Sequence, residues 1–341
     1  MGCAEARRGA LALAVLLAAG CASNPTLPEA PAFPGVAPDH DLRADFRAVT
    51  CALLPGEAQP CRSRLRLEAG EGPQPMAPLR DPSAAGRYRV GLVPGLLAEC
   101  LAPLLRPFAD VEPALRAHGY DVTYFPVPGR GSAQANARFL AERIDRTPRD
   151  ARPWILVTYS KGLADALEYV VTHAREENRV AAIVSVAGAA MGSPLADAYG
   201  PAYREFVAGL PMPHCAGGTG EEVEDLRRDS RHAWWERNGA RVTVPVLHVV
   251  ATASADRVTP GSWTAYRQLS RIDPRNDGKI LWHDQLVPGG WLLGFIDADH
   301  WTAAVPLRDA LPAFRSLFHD DIPRAALVEG ALEVTAGLLA R

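Results

Sequence analysis

From Arg87 onward, short apolar runs alternate with longer stretches in which apolar residues recur every three or four positions. The runs have strand length: Tyr88–Val93, Asp121–Val127, Trp154–Tyr159, Val180–Ala187, Val242–Ala251 and Lys279–Leu286. Helical stretches separate them, over about 101–118, from the cap Ser132 to about Ile144, over Gly162–Arg175 and from about Ser262, and two more close the chain. Two runs are apolar almost without alternation, Trp-Ile-Leu-Val from Trp154 and Ala-Ala-Ile-Val-Ser-Val from Ala181. Continuously apolar strands are those covered on both faces. The pattern therefore predicts an α/β domain over 87–341, a mostly parallel central sheet with helices on both faces.

Some fifty residues between Gly192 and Arg241 carry no strand signal. They are rich in Pro and Gly, then acidic (Glu221, Glu222, Glu224, Asp225), then aromatic (Trp234, Trp235). Ligands of open α/β sheets bind outside the carboxyl ends of the strands. An insertion at about 193–241, leaving one such end, is expected to lie over the site as a lid. Ahead of the alternating region, Asp41–Leu54 has helical spacing (Leu42, Phe46, Val49, Leu53) and residues 68–86 read as Gly/Pro-rich loop. Residues 22–40, with prolines at 25, 28, 31, 34 and 38, read as an extended tether.

Composition narrows the class. The chain has 341 residues, 48% hydrophobic and 22% charged, which excludes disorder, collagen and a polytopic membrane protein. A formal net charge of −3 argues against nucleic acid as a partner, because phosphate binding needs a basic face. Of the 36 basic residues only Lys161 and Lys279 are lysines.

Residues 1–21 read MGCAEARRGALALAVLLAAGC: two arginines, a ten-residue apolar run too short to span a bilayer, then small residues and a cysteine. The ending Leu17-Ala-Ala-Gly-Cys21 resembles the lipobox of bacterial lipoproteins, with Ala18 where an aliphatic residue is usual. The resemblance implies a signal peptide over 1–20, a lipid on Cys21, a tether and extension over 21–86, and residence on a membrane of the bacterial envelope. Ala22, where some lipoproteins carry the aspartate that retains them at the inner membrane, points to the outer one. An N-myristoylation motif would need Ser or Thr at position 6, where Ala6 stands. Export places Cys51, Cys61, Cys100 and Cys215 in an oxidising compartment. Of their three pairings we favour Cys51–Cys61, which closes a short loop, with Cys100–Cys215; buried free thiols are the alternative.

The candidate chemistry starts at Ser160. The strand Trp154–Tyr159 runs directly into Ser160-Lys161-Gly162 and then a helix, the context of a nucleophile elbow, in which a sharp turn lifts a serine hydroxyl above the sheet. Thr158 replaces the first glycine of the usual G-x-S-x-G, yet Ser160 is the only one of twelve serines with glycine two places on. A serine nucleophile needs a base, and the base an orienting acid, in the order Ser, Asp, His for such folds. Asp256 lies just past the strand Val242–Ala251, before the turn residue Pro260, and is the expected acid. His300, in the loop Gly294–Trp301, is the expected base. Asp297 and Asp299 are read as loop or capping residues, His248 as core, His283 as lying within a strand, and His118 and His319 as helix-end residues. An oxyanion hole needs two backbone N–H donors. Leu96, after Pro94-Gly95, and Lys161 are the candidates, a role that needs only the backbone of Lys161. Gly129-Arg130-Gly131 is read as a turn and helix start.

These residues carry a resemblance. Residues 87–320, with Val93-Pro-Gly-Leu, Tyr159-Ser-Lys-Gly, Met191-Gly-Ser-Pro, Ser254-Ala-Asp-Arg-Val-Thr-Pro and Asp299-His300-Trp301, resemble the α/β-hydrolase superfamily in its serine esterase and lipase branch. The resemblance implies Ser/His/Asp acyl chemistry without a cofactor or metal. HExxH, paired CxxC, P-loop and strand-following GxGxxG motifs are all missing. Leu96, Leu97, Met191, Trp234, Trp235 and Trp291 to Leu293 lie at expected loop positions over the site; they suggest an acyl or lipid-like ester, or they form the lid's own core. The same triad could serve acyl transfer or thioester cleavage, and a lipoprotein could keep the fold as a non-catalytic binding module.

Overall fold

The computed structural model describes residues 36–54, 61, 64–66, 71–102, 104–148, 152–173, 179–212 and 214–341. The segment expected to be a signal peptide, Cys21 and the expected tether up to residue 35 lie outside the described residues. Seven strands form one sheet: β1 (Leu65–Arg66), β2 (Arg89–Val93), β3 (Asp121–Tyr124), β4 (Trp154–Tyr159), β5 (Val180–Val186), β6 (Val246–Ala251) and β7 (Trp291–Ile296). Their spatial order is β1-β7-β6-β5-β4-β2-β3. Every pair is parallel except the edge pair β1–β7. The longer helices among the described residues are α1 (Arg43–Leu53), α2 (Val111–Ala117), α3 (Ala133–Asp145), α4 (Gly162–Thr172), α5 (Pro194–Phe206), α6 (Arg228–Asn238), α7 (Trp263–Leu269) and α8 (Arg324–Leu339).

The period-two alternation of side chains explains the two cores. On β4, Ile155, Val157 and Tyr159 share an apolar cluster with residues of α1, α2 and α8. Trp154 and Leu156, pointing the other way, join residues of α3 and α4. All six β4 residues are buried, so the strand is covered on both faces, as its apolar run implies. Ser132 caps α3 by accepting the Ala135 N–H, and Ser193 caps α5 by accepting that of Leu195. The helix read from Leu42, Phe46, Val49 and Leu53 is α1, which reaches β7 closely because Gly294 leaves room for Phe46. Among its described residues the 193–241 segment carries no strand and folds as α5, a short turn of helix at Glu221–Glu224, and α6. Among the described residues no helix is long and apolar enough to cross a membrane.

Three expectations change. The run Lys279–Leu286 is not a strand: an isolated bridge joins Asn276 to Leu281, and a 3-10 turn follows at Trp282–Gln285. The cause is Gln285, whose side-chain amide pairs with both the N–H and the C=O of Ala251. It takes up the backbone groups at the end of β6 that a strand would have used. The strand beside β6 is instead β7, entered through Gly289 in the left-handed region (φ 73). The helix expected over 101–118 is two pieces, Ala98–Leu101 and α2, separated by a left-handed Phe108 (φ 62).

Both favoured disulfides are formed, Cys51–Cys61 and Cys100–Cys215. The second joins residues 115 apart and fastens the segment after β2 to the insertion.

His248 is a core residue on β6, as expected, and its Nε2 accepts the Val287 N–H. Burial pushes its pKa from 6.5 down to about 3. The unfolded chain therefore takes up a proton that the native state refuses. This contribution to stability is intact above pH 6.5 and is lost as pH falls toward 3. Urea unfolding at pH 6.5 and 4.5 should show a loss about 2 kcal/mol smaller in His248→Gln than in the native protein. An equal loss in both would contradict the buried neutral ring.

Candidate active site

The carboxyl ends of the parallel strands share one rim, and the site lies on it. Ser160 follows β4 at once, with its backbone in the left-handed region (φ 53), and α4 begins two residues later. The turn is crowded. A Cβ on Gly95 would lie 2.7 Å from the Ser160 Cβ, and one on Gly162 would lie 2.6 Å from the carbonyl oxygens of Val93 and Pro94. Glycine at both positions is what lets the β2 loop and α4 close on the serine. Thr158, at the place of the missing glycine, lies within the sheet between Val93 and Ser185, fully buried, and its hydroxyl donates to the Val184 carbonyl at 3.3 Å. A β-branched strand residue satisfies that position.

Ser160 Oγ lies 2.9 Å from His300 Nε2, and His300 Nδ1 lies 2.7 Å from Asp277 Oδ2. Ser160 and His300 retain 8% and 7% of their exposure and Asp277 none, so the line of groups opens to solvent at the serine end. With Nδ1–H donating to the carboxylate, Nε2 is left to accept the serine proton. Asp277 is itself fixed: its Oδ1 accepts the N–H groups of Lys279 (2.8 Å) and Ile280 (2.7 Å), and its carbonyl accepts the His300 N–H (2.7 Å). The neighbouring Asn276 carbonyl accepts the N–H of Ala253, just past β6. The acid thus reaches the rim on a turn that returns to the end of β6 after α7.

This corrects the assignment of the acid. Asp256 sits in a 3-10 turn (Ala255–Arg257), exposed, and makes no contact with His300. Being early after β6 put it on the right rim, but its turn faces outward. The usable signal for Asp277 was Asn-Asp-Gly, a turn sequence whose side chain can bind the backbone two residues on. One support of the histidine was also missed. The Tyr159 hydroxyl donates to the His300 carbonyl at 2.8 Å, and the two rings lie 5.0 Å apart. Burial, with Asp277 and Asp299 nearby, holds the Tyr159 phenol well above its usual pKa, so it remains a donor. Asp299 is a capping residue, as expected, and a fully buried one. It accepts the N–H groups of Thr259 and Thr302 and the Thr302 hydroxyl, and burial raises its pKa.

The two amides expected to receive an oxyanion flank Ser160. Among the described residues neither the Leu96 nor the Lys161 N–H donates to a backbone acceptor. Leu97 is half-buried and left-handed (φ 62), its N–H bound to the Gly129 carbonyl. The Leu96 side chain packs under the insertion, beside Ala189, Ala196, Val223, Leu226 and Ile280. Met191 is buried in the core of the α3/α4 face. Three aromatic candidates leave the site. Trp234 and Trp235 flank that same core, and the Trp234 indole N–H donates to Glu168 on α4. Trp291 begins β7, at the rim opposite His300, and stacks on His40. Among the described residues no group of three His, Cys, Asp or Glu side chains is arranged to hold a metal ion.

Comparison with known structures places this geometry. The chain is similar to the metagenomic carboxyl esterase MGS0156, at 30% sequence identity and a TM-score of 0.80, over 92% of this chain and 96% of the esterase. It shares its fold with the mature form of the Bacillus licheniformis lipase BlEst2, at 18% identity and a TM-score of 0.54, over 70% of this chain and 93% of the lipase. No family model matches the sequence, and no curated protein matches it.

The geometry predicts a hydroxyl that reacts covalently. A fluorophosphonate probe should label the protein at Ser160, with labelling abolished in Ser160→Ala. In Asp277→Asn the labelling rate should fall by about 10⁴ through loss of the oriented histidine tautomer. Asp256→Asn should label at the native rate; slow labelling there, with Asp277→Asn unaffected, would reverse the assignment.

Proposed function

Because the chain belongs to the α/β-hydrolase family, we propose that it is a serine carboxylic-ester hydrolase working through Ser160, His300 and Asp277. The observation that carries this reading is the continuous line of hydrogen bonds from Ser160 Oγ through the imidazole to a fully buried carboxylate.

The mechanism follows from the contacts. His300 Nε2 takes the proton of Ser160 as Oγ attacks the ester carbonyl carbon. Asp277 keeps Nδ1–H pointed at itself and stabilises the imidazolium that forms. The carbonyl oxygen, now negative, is received by the amides of Leu96 and Lys161, and loss of one such donor typically costs about 3 kcal/mol. The tetrahedral adduct collapses, the alcohol leaves with the proton from His300, and Ser160 is left acylated. Water, deprotonated by His300, then releases the acid and restores the hydroxyl. The apolar cluster of Ala196, Val223 and Leu226, packed on Leu96 beside the site, accords with an acyl or otherwise apolar substrate. The three reacting groups in bonding reach favour the catalytic reading over a non-catalytic binding module, to which Thr158 gave some weight.

The lipobox-like end of the signal segment supports attachment of the mature chain to an envelope membrane through Cys21, and two disulfides accord with export. Labelled palmitate fed to expressing bacteria should enter the native protein and not Cys21→Ala; equal labelling would remove the anchor.

A chain-length series of p-nitrophenyl esters tests the activity. The expected outcome is hydrolysis that peaks at one acyl length and disappears in Ser160→Ala. Turnover that survives Ser160→Ala would refute the reading.

A further inference from the structure

The side chain of Lys161 has a place of its own. It is among the largest fully buried side chains, 1% exposed, directly after the nucleophile. Its Nζ lies 2.5 Å from Asp165 Oδ1, one turn along α4. Asp165 Oδ2 accepts from Asn136 Nδ2 at 2.8 Å, and the same Nδ2 donates to the Pro128 carbonyl at 3.2 Å. The Pro128 carbonyl also accepts the Gly131 N–H, and Gly131 must be glycine because a Cβ there would lie 2.3 Å from Asn136 Oδ1. In this same loop the Gly129 carbonyl accepts the Leu97 N–H at 2.7 Å, and the Gly129 N–H donates to Glu99 at 3.0 Å. A buried polar path therefore runs from Lys161 through α4 and α3 to the loop 128–131, and from there to the residue after Leu96. One end is Lys161, whose amide lies beside Ser160, and the other is Leu97, the immediate neighbour of Leu96.

A buried ion pair is a poor source of stability, since desolvation offsets much of the attraction. Burial pushes Asp165 up to about 6 although Lys161 and Asn136 both favour its charged form. What such a pair supplies is fixed geometry. We propose that Lys161, Asp165 and Asn136 are positioning residues that set the separation and aim of the Leu96 and Lys161 amides, and so govern transition-state binding without touching the substrate. The proposal rests on the reading of Ser160 as nucleophile with those amides as its oxyanion donors.

The test uses the full chain, a p-nitrophenyl ester, and an alkyl trifluoromethyl ketone, whose hemiketal oxyanion must sit on the same two amides. Lys161→Met and Asn136→Ala should each lower kcat by about 10–100-fold, the scale of a small misplacement of reacting groups. KM should stay within about twofold, because only an interaction made in the transition state is lost. The inhibition constant of the ketone should rise in step with the fall in kcat/KM. The pair Lys161→Met with Asp165→Leu removes both buried charges, so its melting temperature should return toward native while kcat stays low. Native kcat in that double variant, losses confined to KM, or an unchanged ketone constant would overturn the proposal. If Ser160→Ala is dead while the Lys161 and Asn136 variants turn over normally, only this inference fails. If Ser160→Ala stays active, the reading beneath it fails instead.

Discussion

The left-handed backbone at Ser160 is the constraint on which the site depends. A non-glycine residue held there carries a cost on the order of 1–2 kcal/mol, so the surroundings must over-determine it. They do so from three sides. β4 ends under it in the middle of the sheet, α4 starts two residues later, and the β2 loop closes over it at Gly95. The carbonyl of Ser160 is bound as well, by the N–H of Ala189 in the segment after β5. The turn throws the hydroxyl over the carboxyl rim of the sheet. Loops leaving that rim are the ones that can meet it, and its proposed partners outside the elbow come after β2, β6 and β7.

The base and acid follow from the same restriction. His300 leaves β7 four residues past its end and would be free to swing if nothing else held it. Its N–H binds Asp277, its carbonyl binds Tyr159, and the adjoining Asp299 is bound to Thr259 and Thr302. Asp277 in turn is locked by two N–H groups of its own turn. The backbone of His300 and the carboxylate of Asp277 are therefore held by bonds outside the proposed reaction, which is what preorganisation requires.

Much of this was legible in the residues. The parallel sheet, the elbow and the histidine rest on local signals: unbroken apolar runs, a serine between strand and helix, and a loop placed after the last apolar run. The fold's errors have two origins: a left-handed Phe108 splits the helix expected over 101–118, and side chains replace backbone partners after β6. The apolar run Lys279–Leu286 has the pattern of a strand, but there the Gln285 side chain binds the backbone groups of Ala251, and the strand beside β6 is β7. The acid was missed for a related reason. A carboxylate just past a strand is visible as a pattern, whereas Asp277 reaches the site on a turn that returns to Ala253 by a single backbone bond. The aromatic candidates failed because large apolar residues of an insertion gain as much by covering a helix as by lining a cleft, and Trp234 does the former through Glu168.

The insertion itself is fastened at points that belong to the site. Ser193, which caps α5, donates to the Lys279 carbonyl, two residues from Asp277. Arg231 of α6 donates to the Ala190 carbonyl, next to the residue that binds Ser160. Arg130 donates to the Val207 carbonyl from the loop that holds Leu97, and Cys100–Cys215 ties the β2 segment to the chain beyond α5. A hinged cover would concentrate its contacts at one edge and leave the other free to lift. Here anchors stand beside the proposed acid, the proposed nucleophile and the loop that holds Leu97. The apolar cluster packed on Leu96 is thus held by a segment whose anchors stand beside the proposed catalytic groups.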